Sequence, residues 1–153
     1  LAMAYNNLGV AYIFLAKYDR AITYLDKTLK VDPYYSLAYN NLGLAFYYMG
    51  QYPQAISNYE TCLKIDPNYS IAHSNLGLVY AALGNDNQAL ACYNRALELS
   101  PDDVETFANR AQTFLHLRQY DNAWEDVHQA EALGAKIDSK FIAGLKSASG
   151  RNK

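Results

Sequence analysis

Stretches of about fourteen residues along the chain alternate between two characters. Residues 2–15, 36–49 and 70–83 hold no Asp, Glu, Lys or Arg, whereas 18–31, 52–65, 86–99 and 120–132 and the turns carry charge, for example Lys17, Asp19, Arg20, Asp26, Lys27, Lys30, Glu60 and Lys64. Each stretch fits an amphipathic helix, and 104–117 supplies a fourth segment of the first kind, so the pattern predicts four helix pairs. The pairs recur at a fixed interval. The hexapeptide AYNNLG occurs at Ala4–Gly9 and again at Ala38–Gly43, with a near copy AHSNLG at Ala72–Gly77, and the starts 4, 38 and 72 are 34 apart. A period of that length is the mark of a solenoid, in which each unit buries its apolar face against the next. Pro33, Pro67 and Pro101 keep the same interval inside VDPYY, IDPNY and LSPDD, where proline is tolerated between elements. Pro53 falls early in a second helix, where its missing N–H costs little. Gly50 and Gly84 mark helix ends that call for a left-handed residue. Ala16 and Arg118 occupy the equivalent places, and a residue with a Cβ there predicts a different turn conformation.

The motif residues resemble the tetratricopeptide repeat (TPR) family, whose pattern runs aromatic, Leu-Gly, aromatic, Ala, aromatic, Ala, Pro. Tyr5, Leu8, Gly9, Tyr12, Ala21 and Pro33 carry it in the first repeat, and Tyr39, Leu42, Gly43, Phe46, Ala55, Tyr59 and Pro67 in the second. Leu76, Gly77, Tyr80, Ala89, Tyr93, Ala96 and Pro101 carry it in the third, with His73 in the aromatic place. The fourth is degenerate: Phe107, Phe114, Ala123 and Ala130 match, but Arg110 and Ala111 replace Leu-Gly. The resemblance covers about 135 of 153 residues. It implies an all-α fold, a right-handed TPR α-solenoid of antiparallel helix pairs, with repeats at 1–35, 36–69, 70–103 and 104–136. A short amphipathic helix over 137–148, with Phe141, Ile142 and Leu145 on one side and Lys140 and Lys146 outward, reads as a C-terminal capping helix. Residues 149–153 read as a frayed tail. No comparable cap precedes the first repeat, so the sequence reads as a fragment of a longer protein.

In the family, first helices line a concave groove and second helices form the convex outside. The groove is therefore expected to be nearly uncharged until Glu105 and Arg110. At 100° per residue, Tyr39, Leu42, Gly43 and Phe46 point at the partner helix, and Leu37, Asn41, Leu44 and Tyr48 point the other way. Their equivalents are Met3, Asn7, Val10 and Phe14; Ile71, Asn75, Leu78 and Ala82; and Glu105, Asn109, Gln112 and His116. The second asparagine of the hexapeptide is thus a groove residue, and Asn7, Asn41, Asn75 and Asn109 keep the 34-residue interval through all four repeats. A carboxamide offers both a donor and an acceptor. With first helices roughly 8–10 Å apart, each Asn meets about every third residue of an extended peptide rising about 3.3 Å per residue. The arrangement resembles the asparagine ladder in the TPR region of O-linked N-acetylglucosamine transferase. The alternative is structural, with each Asn bonding a neighbouring helix and fixing repeat stacking.

Composition removes several classes. A net charge of −2 and a pI near 5.9 give no general reason to bind nucleic acid or an anionic membrane. No run of 18 apolar residues and no signal peptide is visible, which makes a cytoplasmic setting the default unless upstream segments exist. Cys62 and Cys92 read as small packing residues rather than a redox or metal pair. His73, His116 and His128 lack ligand spacing, no phosphate-binding Gly loop or GxSxG is present, and no cofactor is implied. Glu125, Asp126 and Glu131 read as a solvated helix face. The sequon Asn68-Tyr69-Ser70 lies in a turn and needs a secretory context to matter.

A second TPR mode, a clamp of groove Lys and Arg that grips a terminal carboxylate, finds no cations here. The corresponding positions hold Asn6, Val10, Asn41, Ile71 and Asn75, or, one repeat on, Asn40, Leu44, Asn75, Glu105 and Asn109. The sequence therefore reads as a non-enzymatic interaction module. It would hold an extended protein or peptide segment against Asn7, Val10, Phe14, Leu37, Asn41, Leu44, Tyr48, Ile71, Asn75, Leu78, Asn109 and Gln112. Two alternatives stand beside it: the substrate-recruiting TPR region of a larger enzyme, and a scaffold that forms homo-oligomers through its groove or its uncapped N-terminal face.

Overall fold

The computed structural model describes residues 1–151. Among the described residues it holds helices only: α1 (Ala2–Phe14), α2 (Tyr18–Val31), α3 (Ser36–Tyr48), α4 (Tyr52–Ile65), α5 (Ser70–Ala82), α6 (Asp86–Leu99), α7 (Val104–His116), α8 (Tyr120–Ala132) and α9 (Ser139–Ser149). The fold is thus the all-α array of helix pairs that the 34-residue period demands. Each first helix stops one residue short of its sequence-predicted end. The chain divides into two compact units, one spanning Leu1–Val79 and a second beginning at Tyr80.

In the first unit α1 packs on α2 and α3 on α4, while α3 also meets α2 and α1 of the preceding pair. Short turns between helices force this antiparallel pairing. The glycines set how close the pairs come. A methyl group at Gly9 would lie 2.6 Å from Leu25 Cγ, and one at Gly43 would lie 2.7 Å from Tyr59 Cε1. Leu25 and Tyr59 are both essentially inaccessible, so the side chain of the second helix occupies the space a Cβ would need. Between pairs, Ile13, Ala21, Leu25, Ala38, Leu42 and Ala45 form one core with Ile22, Leu29 and Phe46 against it.

The first two turns between pairs are built from Asp-Pro dipeptides. Asp32 Oδ1 accepts from the Tyr34 amide at 3.0 Å and Asp66 Oδ1 from the Asn68 amide at 3.2 Å; such Asx turns initiate a reversal locally. The motif aromatic locks them. Tyr39 Oη donates to the Pro33 carbonyl at 3.3 Å, and His73 Nε2 stands 3.0 Å from the Pro67 carbonyl. His73 therefore fills the aromatic place in chemistry as well as position.

The turns inside the pairs overturn one expectation. Ala16 (φ 53°) and Arg118 (φ 58°) adopt the same left-handed conformation as Gly50 (φ 72°) and Gly84 (φ 74°). In all four repeats the next amide reaches back five residues, Lys17 to Tyr12 (2.9 Å), Gln51 to Phe46 (2.9 Å), Asn85 to Tyr80 (2.9 Å) and Gln119 to Phe114 (2.8 Å). These bonds satisfy carbonyls that a helix end otherwise orphans. Pair geometry thus imposes the turn, and Ala16 and Arg118 bear the steric cost.

In the second unit α7 packs on α8 and on α6, and α9 covers α8. Leu145 is fully buried with Trp124 and Val127, and Phe141 and Ile142 pack beside them. Asp138 caps α9 through the Lys140 amide (2.8 Å). The helix α9 reaches Ser149, the first residue assigned to the tail. Ser149 Oγ accepts from Trp124 Nε1 at 3.2 Å, and Arg151 pairs with Asp121 at 2.6 Å. Asn152 and Lys153, the rest of the expected frayed tail, lie outside the described residues.

Candidate functional site

The first helices of the first unit, α1, α3 and α5, carry exposed apolar side chains. Phe14, Tyr48, Ile71 and Leu37 are exposed there by 85%, 55%, 49% and 39%. Asn7 is also exposed, and Val10, Leu44, Leu78, Asn41 and Asn75 are half-buried between them. No Asp, Glu, Lys or Arg lies on α1, α3 or α5. Ten of the twelve sequence-predicted site residues lie on α1, α3 and α5, and Asn109 and Gln112 on α7 of the second unit. An apolar surface of this kind is held open by the motif itself: Gly9 and Gly43 turn one side of each first helix to its partner and leave the other to solvent.

The paired asparagines have a role that the sequence did not reveal. Asn41 Nδ2 donates to Asn6 Oδ1 at 3.0 Å, and Asn75 Nδ2 donates to Asn40 Oδ1 at 3.1 Å. Asn40 Nδ2 stands 3.4 Å from Asn41 Oδ1. A relay of four carboxamides therefore runs from α5 through α3 to α1. The first asparagine of each doublet is the acceptor for the second asparagine of the next repeat. Asn6 and Asn40 are 6% and 4% exposed, and bonds in such a setting polarise one another. The legible signal was the doublet: two adjacent carboxamides, 100° apart on a helix, can serve one neighbour each. The stacking alternative thus accounts for one N–H of Asn41 and of Asn75, through side chains rather than the backbone carbonyl expected. Each retains a second amide hydrogen. In the second unit Asn109 Nδ2 is buried and has no hydrogen-bond partner among the described residues.

Around α7 two expectations are corrected. Asp126 is not part of a solvated face: it is 2% exposed and grips Arg110 through two bonds, Nε to Oδ2 at 2.8 Å and Nη2 to Oδ1 at 2.7 Å. Arg110 in turn points at α8 instead of charging the first-helix face, and its Nη1 donates to Asn94 Oδ1 at 2.7 Å. The guanidinium sits over Phe107 and Phe114. Burial pushes the Asp126 carboxyl above its ordinary range, with Arg110 pulling it back. Arg110 thus substitutes for the motif Leu through a buried ion pair. His116 meets Asp86 at 2.7 Å, just as Tyr48, its equivalent in the second repeat, stacks on Tyr18 at 5.7 Å.

Both thiols behave as packing groups. Burial lifts Cys62 and Cys92 to about 11, far from the range of a reactive thiolate. Among the described residues no cluster of His, Cys, Asp or Glu could hold a metal ion, and no helix is long and apolar enough to cross a membrane.

Paired helices at a 34-residue interval, close-packed at glycine, define an α-solenoid. The chain belongs to the tetratricopeptide repeat family: models of that repeat match residues 2–35 and 70–103, residues 43–84 and residues 92–125. No curated protein sequence matches the chain. Among solved structures, MamA is 22% identical with a TM-score of 0.77, over 86% of this chain and 77% of that one. The first TPR of Spaghetti (RPAP3), solved with the HSP90 peptide SRMEEVD, is 27% identical with a TM-score of 0.72, over 76% of this chain and 92% of that one. Cut9–Hcn1 of the APC/C matches at 23% identity and a TM-score of 0.86, over 96% of this chain but 29% of that one. The matches at 22% and 23% identity establish a shared fold.

Proposed function

We propose that the chain is a non-enzymatic protein-interaction module whose first-helix face binds an extended, uncharged segment of a partner protein. The observation that carries this reading is the exposure of Phe14, Leu37, Tyr48 and Ile71 together on helices without a formal charge. Burying one such side chain is worth about 1.5–3 kcal/mol. Apolar residues of the segment meet these side chains, and the spare amide hydrogens of Asn41 and Asn75 meet its backbone carbonyls. Asn7, with no inter-repeat bond of its own, extends the row.

The RPAP3 repeat domain supports a peptide-binding role for this architecture, yet its ligand SRMEEVD is acidic. A face without Lys or Arg offers such a peptide no counter-charge, so a different ligand chemistry follows. Selection from a displayed library of random heptapeptides should enrich uncharged, apolar sequences. Leu37→Glu with Ile71→Glu should weaken their binding at least tenfold and leave the melting temperature within about 2 °C, since both positions are exposed. SRMEEVD itself should not bind measurably. Enrichment of acidic peptides, or binding indifferent to the two glutamates, contradicts the proposal.

A further inference from the structure

Twelve of the fifteen tyrosines lie in the first unit, and only Tyr5, Tyr12, Tyr39 and Tyr59 of these belong to the repeat motif. Four of the others meet ring to ring where the start of α2, the end of α3 and the start of α4 come together. Tyr18 stacks on Tyr48 at 5.7 Å, Tyr48 meets Tyr47 edge-on at 5.6 Å, and Tyr47 meets Tyr52 at 5.9 Å. Tyr48 is exposed and the other three are half-buried. None of the four hydroxyls has a hydrogen-bond partner among the described residues, and none is closed off from solvent. Burial, with Tyr52 and Tyr48 close by, raises the Tyr47 phenol, which therefore stays protonated and able to donate. A cavity of about 400 Å³, walled by Tyr18, Arg20 and Met49, adjoins the cluster. The fold does not demand these tyrosines: one repeat on, the same places hold Tyr52, Ala81, Ala82 and Asp86.

We propose that the tyrosine cluster docks a proline-rich segment of the partner in polyproline II conformation. The inference rests on the reading that the first unit holds an extended, uncharged segment, and it names the class of that segment. Steps of 5.6, 5.7 and 5.9 Å between rings come close to the roughly 6 Å that two residues of polyproline II rise, so pyrrolidine rings fill successive hollows between tyrosines. A proline-rich backbone presents carbonyls and lacks N–H groups, which matches hydroxyls free to donate. The molecule already contains this contact, since Tyr39 Oη donates to the Pro33 carbonyl at 3.3 Å. Charge decides against the other ligand of an aromatic surface, a cation over a ring face. Lys17 and Arg20 flank Tyr18 against Asp19 alone, and neither α3 nor the first turn of α4 holds a carboxylate. A preformed polyproline helix also loses little freedom on docking.

The test is calorimetric titration of the full chain with end-blocked decaproline and with an end-blocked, proline-free decapeptide of valine, leucine and serine. Decaproline should bind at least tenfold more tightly than the proline-free peptide. Tyr48→Ala should weaken decaproline binding at least tenfold. Tyr47→Phe with Tyr52→Phe keeps the rings and removes two hydroxyls; it should weaken binding at least threefold while circular dichroism shows an unchanged melting temperature. Binding of the proline-free peptide as tight as that of decaproline overturns the proposal and leaves the first-helix reading standing. Decaproline binding indifferent to the tyrosine changes overturns it as well, and binding of neither peptide overturns both.

Discussion

At the scale of single residues, two features of the molecule separate identical letters by what surrounds them. Asn7 and Asn41 occupy the same place in the repeat, but only Asn41 has an acceptor across the layer. Asn41→Ala leaves the buried Asn6 Oδ1 without its donor, which should cost about 1–3 kcal/mol in urea unfolding. Asn7→Ala should change stability by less than about 0.5 kcal/mol. Equal effects would show that the relay is not formed. The left-handed turns make the converse case, one geometry served by different letters. Ala16→Gly and Arg118→Gly should each stabilise by up to about 1 kcal/mol, the relief of the left-handed Cβ less the added freedom of the unfolded glycine. Gly50→Ala should destabilise by a similar amount, and thermal melts of the three variants check all of this. The turn conformation was illegible at positions 16 and 118 because residue preference is weaker than the demand of helix-pair geometry. Gly50 and Gly84 showed what the periodic fold would require of their equivalents.

At the scale of elements, period and motif made every helix pair readable, because the repeats reuse one packing solution, seen around Gly9 and Gly43 in the first two. What escaped was substitution of one solution by another. Arg110 replaces the motif leucine, and its partner Asp126 lies on α8, where neighbouring Glu125 and Glu131 suggested a wet face. The spacing 123, 126, 127 and 130 nevertheless puts Asp126 inward with Ala123, Val127 and Ala130. Removing one member of such a pair strands a buried charge. Arg110→Leu should therefore cost about 3–5 kcal/mol. The double change Arg110→Leu with Asp126→Cys installs the pair that the third repeat carries as Leu76 and Cys92, and should recover most of that loss. Urea titrations of the single and double variants measure the coupling; a single variant as stable as the wild type would remove the ion pair from the account. α9 was legible from Phe141, Ile142 and Leu145, but its end was not, since Ser149 is held by Trp124 through a contact no local pattern announces.

At the scale of the molecule, the division of charge was the readable feature: uncharged first helices, charged second helices. It located the candidate face and excluded a cationic clamp. The identity of the bound segment is a property of the partner and is absent from the chain. The role of the asparagines was half legible, because their 34-residue interval marked them as special while the bond from each second asparagine to the preceding first one spans 35 residues. The central claim is that the first unit binds an extended segment on its neutral first-helix face. Its most direct test is a nitrogen-15 NMR titration of the full chain with a library-selected uncharged heptapeptide. Shifts should concentrate at the amides of Val10, Phe14, Leu37, Leu44, Tyr48 and Ile71 and at the side-chain amides of Asn41 and Asn75. Shifts confined to the charged helices α2 and α4, with those groups unmoved, would contradict it.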